Sequence, residues 1–243
     1  MNLIKADHDR KIEIPGVPGL VRRPVDIDQS RTGFAALRTL RIYRFDPESV
    51  IKGHAEEDEV FIVVLAGSIE LAMSSDNWTD SQRHFRLAAA GDSGKTPCAA
   101  YLPPHAAYQL TPRSEADIAY ARATPVNRRP PKVFTSQFRT IAAGVTVLLD
   151  ETTYAERLHL RLVQIDAQHN EIALSPIHES KTTREALVHL RTEPTERSVT
   201  ITGSDATRTL MDSWDTIAVP LGINPTLRVA MGSSALALIV IAE

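Results

Sequence analysis

The chain of 243 residues carries one cysteine, Cys98, so no intramolecular disulfide can staple it and its stability has to come from burial. A lone thiol fits a reducing compartment, and a cytoplasmic protein is expected. Apolar runs approaching the ~18 residues of a membrane-crossing helix are missing. Residues 1–10 alternate apolar with charged side chains and lack the apolar centre of a secretion signal. No membrane partner is therefore expected. Charge of neither sign dominates, since 27 Lys and Arg stand against 30 Asp and Glu for a net charge of -3. Nucleic acid is an unexpected partner on that balance. Two common catalytic motifs are missing as well. Gly91-Asp92-Ser93-Gly94-Lys95-Thr96 resembles the end of a phosphate-binding loop, but the first glycine of that motif would fall on Ala89. A G-x-S-x-G nucleophile turn is nowhere present.

The sequence does contain a succession of short apolar or alternating segments separated by turn residues, the pattern of an all-β chain. Residues 37–45 alternate, 60–65 are a continuous apolar run suited to a strand buried on both faces, and 68–73 follow Gly67. Residues 99–102 stop at Pro103-Pro104, and 118–123 close the set. The same order recurs in 158–165, 186–190, 199–202, 216–219 stopping at Pro220, and 236–241. This is read as an internal duplication, with Gly67 and Gly203 at turns and Pro104 and Pro220 ending strands. Between the copies, residues 124–132 hold Pro125, Pro130 and Pro131 with Arg128, Arg129 and Lys132, a composition that denies both helix and central strand. The expected domains are 1–125 and 126–243.

Motifs sit at matching places in the two copies. The first reads Gly53-His54-x4-Glu59, a run to Gly67, then Gly91-Asp92 and Tyr101-Leu102-Pro103-Pro104. The second reads His178-x-Ser180-x4-Glu185, then Val219-Pro220-x-Gly222-x-Asn224-Pro225. Together they resemble the two conserved motifs of cupin barrels, so the expected architecture is two tandem cupin barrels, each a double-stranded β-helix of jelly-roll type. More specifically the chain resembles the 5-deoxy-glucuronate isomerase family of inositol catabolism. The spacing before Gly67, the Tyr101-Leu102-Pro103-Pro104 run, Ala155-Glu156-Arg157-Leu158, and Arg191 followed by Pro194 carry that likeness over roughly residues 35–243.

The resemblance implies an aldose-ketose isomerisation of a sugar acid through an enediol, at a divalent zinc, manganese or iron in the second barrel. Carried over position by position, His178 matches the first histidine of the metal set, Ser180 replaces the second, Glu185 matches the carboxylate and Asn224 replaces the last histidine. Serine hydroxyl and asparagine amide are poor ligands for such metals, so a weak or absent metal site is expected. His189, four residues from Glu185 on a strand, shares its face and is a candidate for substrate contact with Asn224. Arg191 is available to a substrate carboxylate as a bidentate partner. Three readings of His178 and Glu185 stay open: a hydrogen-bonded polar pair, a weakened metal site, or a metal-free substrate pocket. The partner expected is a small sugar acid, and a self-associated homo-oligomer is compatible with the sequence. The rival function is a non-catalytic bicupin that binds a sugar acid or serves as an interaction subunit.

In the first copy His54, Glu59 and His105 are the tempting set, but the template for the later motif puts His105 on its glycine and Tyr108 on its ligand. Residues 56–59 are therefore read as an acidic loop leading into a buried strand. His84 and His169 are read as surface residues, and Trp78 and Trp214 as packing at turns.

Overall fold

In the computed structural model the alternating segments become strands. The structure describes residues 1–74, 83–91, 95–142, 144–165, 172–173, 185–192, 199–204, 208–220, 222–223, 226–229 and 234–243. By contacts the chain divides into two units, Asp7–Ser136 with Tyr154–Leu158, and Met1–Ala6 with Gln137–Thr153 and His159–Glu243. Each is a two-sheet antiparallel barrel, called here the first and the second.

The first barrel has a seven-stranded sheet in the order Lys132–Thr135, Pro97–Leu102, Glu59–Ala66, Ala116–Ala123, Leu37–Phe45, Leu20–Asp28, Lys11–Glu13. Its second sheet runs Ile51–His54, Ala107–Pro112, Ser68–Ser74, Arg83–Ala88. The second barrel repeats the arrangement. Its seven strands are Asn2–Ile4, Thr216–Val219, Glu185–Thr192, Ala235–Ala242, Leu158–Ile165, Val145–Glu151 and Arg139–Ala142. The other four are Ile172–Ala173, Thr226–Val229, Val199–Thr202 and Arg208–Met211. Among the described residues the one helix is the short turn Gln29–Thr32, and no helix is long and apolar enough to cross a membrane.

Side chains from both sheets fill each interior. Val60, Ile62 and Val64 meet Ile69, Leu71, Leu110 and Ile118 in the first barrel. Val188, Leu190, Val199, Ile201, Leu227 and Ile239 do the same in the second. Each such fully buried aliphatic side chain is worth about 1.5 to 3 kcal/mol of transfer free energy, which is how a chain without disulfides holds together. Gly67 lies at the turn between Glu59–Ala66 and Ser68–Ser74 with φ +75, and a Cβ there would fall 2.2 Å from the Glu115 carbonyl oxygen. Only glycine fits that close approach. Gly203 follows the strand Val199–Thr202, and Pro103 and Pro220 follow the strands that end at Leu102 and Val219. In the turn after each proline one residue takes a left-handed conformation, His105 at φ 66 and Gly222 at φ 81.

The proline-rich stretch does not end the first unit. Lys132–Thr135 pairs with Pro97–Leu102 at the sheet edge, so that unit runs to Ser136, beyond residue 125. The equivalent edge of the second barrel is filled by Asn2–Ile4, which pairs with Thr216–Val219. The first barrel also takes in Tyr154–Leu158. Tyr154 packs edge-on to Tyr101 and Phe134 at 5.3 and 5.4 Å between ring centres, with the Lys132 ammonium 4.6 Å from its ring. The Leu158 amide donates to the Glu59 carboxylate at 2.8 Å.

Candidate functional site

In a cupin frame of type H-x-H-x4-E the ligands must face the barrel interior, and strand alternation decides which residues do. In the first barrel Ile51 and Leu110 point into the core and pair with each other across the sheet. Two residues along, Gly53 and Tyr108 are therefore also inward and directly opposed. Ala55 and Val60 belong to the same interior cluster. The interior positions at that spacing are thus Gly53, Ala55 and Val60, with Tyr108 as the later partner.

His54 and Glu59 are one residue out of phase with this set. The Glu56 amide donates to His54 Nδ1 at 2.9 Å, and His54 stands exposed at the rim. Glu59 is 1% exposed on the opposite face of its strand, where it accepts from the Tyr101 hydroxyl at 3.0 Å and from Leu158. Burial pushes its pKa up to about 7 against those two hydrogen bonds. His105 Nε2 lies 3.5 Å from the exposed Glu57. The tempting His54, Glu59 and His105 set is therefore not brought together.

At the mouth of this barrel lies a cavity of about 390 Å³. Its wall includes Tyr43 and Tyr120, ring centres 5.3 Å apart and edge-on, and Tyr108, 6.0 Å from Tyr120. Tyr108 can occupy its place because Gly53 has no side chain: a Cβ on Gly53 would stand 2.2 Å from the Tyr108 ring and hydroxyl. Arg41 and Arg122 also line the cavity. Arg41 Nε donates to Asp26 at 3.0 Å. Arg122 is paired with Asp58 at 3.2 Å and Glu56 at 3.4 Å, and donates to the Ala55 carbonyl. Burial raises the Asp58 pKa while Arg122 and Arg38 oppose the rise. Lys52 and Glu13 stand at the edge. Glycine, alanine and valine offer no donor atom. Tyr108 is a phenol whose pKa burial pushes up to about 12, so these four positions do not fit a divalent metal.

In the second barrel Val188 and Leu190 face the interior and Ala186 packs against them, so Glu185, His189 and Arg191 occupy the other face of their strand. His189 does share Glu185's face, but the inward orientation expected of Glu185 is corrected: alanine is the residue that points in. Glu185 is 9% exposed, opposite Ala242. His189 is fully buried, its Nδ1 3.1 Å from the Thr216 hydroxyl and its ring edge-on to Trp214 at 5.8 Å. Burial, with Arg191 adding to it, depresses its pKa to about 3, so the ring is neutral. The Arg191 guanidinium lies 4.7 Å over the Trp214 ring. His178, Ser180 and Asn224 lie outside the described residues, as do Trp78, His169 and Pro194. Among the described residues no group of three or more His, Cys, Asp or Glu side chains could hold a metal.

Alternation also places residues on the interior side that the motif search passed over. His159 and Arg161 precede Val163 and Ile165 on one face of their strand, and Glu243 follows Ile239 and Ile241. His159 Nε2 is 3.9 Å from the Glu243 carboxylate, both groups being buried, and Arg161 pairs with Asp150 at 3.1 Å. The signal for them was the H-x-R-x-V-x-I alternation of residues 159–165, which carries no motif.

The sequence profile described as the KduI/IolB family matches residues 21–144. Among solved structures, an IolB-like protein from Salmonella typhimurium LT2 superposes with a TM-score of 0.71 at 15% identity, covering 99% of this chain and 92% of that one. A putative glyoxylate induced protein from Pseudomonas aeruginosa gives 0.67 at 13% identity, over 96% and 83%. Oxalate decarboxylase OxdC from Bacillus subtilis gives 0.67 at 10% identity, over 99% and 76%, and that enzyme has Mn(II) centres. At these identities the likeness establishes the fold, two tandem cupin barrels. No curated protein matches the chain by sequence.

Proposed function

This chain belongs to the KduI/IolB family, whose profile covers half of it, and from that premise we propose that it is a bicupin that binds a small sugar acid without the metal-dependent isomerisation. What carries the reading is the identity of the interior residues where a cupin places its ligands. They are Gly53, Ala55, Val60 and Tyr108 in the first barrel, and in the second Ala186 points in where Glu185 points out. Ser180 and Asn224 stand at two further ligand positions of the sequence motif. Donor sets of this kind bind first-row divalent metals poorly, and without a Lewis acid the enediolate of an aldose-ketose isomerisation is left uncompensated.

The test uses the full chain, purified without a chelating tag and then loaded separately with zinc, manganese and iron(II). No sample should interconvert 5-deoxy-glucuronate with its ketose, while a hexuronate should raise the melting temperature of the metal-free protein. Metal-dependent turnover that His178→Ala abolishes would establish the isomerase instead, with His178, Glu185 and Arg191 in the roles the family resemblance implies.

A further inference from the structure

We infer that the sugar acid binds in the cavity of the first barrel, its carboxylate on Lys52 at the rim and its hydroxyls and C–H face against Tyr43 and Tyr120, with no metal between. The inference rests on the sugar-acid reading above and adds where and how the ligand is held.

Size is the first argument. About 390 Å³ is near the lower end of the roughly 300 to 1,000 Å³ of small-molecule sites, which suits a monosaccharide and is cramped for a nucleotide.

Unused polar atoms are the second. The Tyr120 hydroxyl and Thr39 Oγ1 are both buried and neither makes a well-formed hydrogen bond among the described residues. Tyr120 is 7% exposed, and its hydroxyl lies beside that of Tyr108 without bonding geometry. Both residues line the same cavity. A desolvated polar group left without a partner costs about 1 to 3 kcal/mol, and a polyol placed here supplies partners to both at once. Burial holds the Tyr108 and Tyr120 phenols un-ionised, so each can both donate and accept, as a sugar hydroxyl does.

Charge is the third. Arg41 is engaged by Asp26, and Arg122 by Asp58 and Glu56. Lys52 lines the same cavity and makes no ion pair among the described residues, which leaves its ammonium for an incoming anion. The aromatic wall completes the match. Tyr43 stacks on Phe45 at 5.4 Å and 8°, and meets Tyr120 edge-on, presenting ring surface to the apolar side of a sugar ring.

Calorimetry with D-glucuronate, and with D-glucose as its neutral counterpart, tests this on the full chain and two variants. D-glucuronate should bind the parent protein at least about tenfold more tightly than D-glucose, the equivalent of one charge-assisted hydrogen bond. Lys52→Met should remove that preference and leave melting unchanged, since Lys52 is exposed. Tyr120→Phe should weaken both sugars severalfold while the ligand-free protein keeps its far-ultraviolet circular dichroism and a cooperative melt. If D-glucuronate binds equally to the parent and both variants, the assignment to this cavity is overturned and the sugar-acid reading stands. If the parent binds no D-glucuronate, both fall.

Discussion

The Glu59→Gln variant is expected to stabilise the first barrel by about 3 kcal/mol at pH 8 relative to its effect at pH 4, the magnitude of a shift from 4.5 to about 7 at 1.36 kcal/mol per unit. The sign follows from proton binding. Folding raises the pKa of this acid, so between 4.5 and 7 the folded chain holds a proton that the unfolded chain has released. Stability from this group is complete below 4.5 and is lost as pH rises through 7. Glutamine keeps the neutral form at every pH: its carbonyl can accept from the Leu158 amide and its amide can donate to the Tyr101 oxygen, the partners Glu59 has now. Hydrogen exchange of peptides from residues 59–66 and 97–102, followed from pH 4 to 8, measures it. Parallel pH profiles for the two proteins would show that the carboxylate is not titrating in this range.

The second barrel should respond to pH in the opposite sense, by up to about 4 kcal/mol, because folding lowers the pKa of His189 from 6.5 to about 3. The unfolded chain takes up a proton that the buried ring refuses. Stability from this group is therefore complete above 6.5 and drains away as pH falls towards 3. His189→Leu loses the contact with Thr216 and starts from a lower stability, but its slope between pH 6.5 and 4 should be nearly flat where the parent's is steep. Exchange of peptides covering 185–192 and 235–242 reads this barrel alone. An unchanged slope in the variant would place the acid sensitivity elsewhere. With opposed slopes in the two barrels, a single melting temperature does not describe the chain across this range.

Much of the fold is legible in the sequence because most strands carry either clean alternation or an uninterrupted apolar run between turn residues. Residues 37–45, 158–165, 199–202 and 216–219 coincide with observed strands end to end. Strands with charge or proline inside them do not announce themselves: Leu20–Asp28 holds Arg22, Arg23 and Pro24, and Ala107–Pro112 alternates its one core leucine with exposed and polar residues. The inward face of the motif strands was hard to read for a related reason. Glu59–Ala66 is buried at nearly every position, so its sequence contains no alternation from which to choose the inward face, and a one-residue error exchanges Val60 for Glu59. The same ambiguity exchanged Ala186 for Glu185. Tyr108 and Tyr120 come from consecutive strands, but Tyr43 lies more than sixty residues before them and nothing local marks the three as neighbours. Tyr108 at the later ligand position was legible, because it follows a proline turn that fixes the register.

The exchanged segments have a consequence for biosynthesis. The partner strand of Asn2–Ile4, Thr216–Val219, is made roughly two hundred residues after it, a contact order that favours slow closure. The first barrel meets a milder delay, since its core strands are complete by Ala123 while Tyr154–Leu158, which covers Glu59 and Tyr101, is still to come. During that interval a nascent chain displays an unpaired strand and a Glu59 carboxylate without its amide partner. A cut between Ser136 and Tyr154 therefore does two things at once: it takes from the first barrel the segment that covers Glu59, and it leaves Asn2–Ile4 without the strand it pairs with.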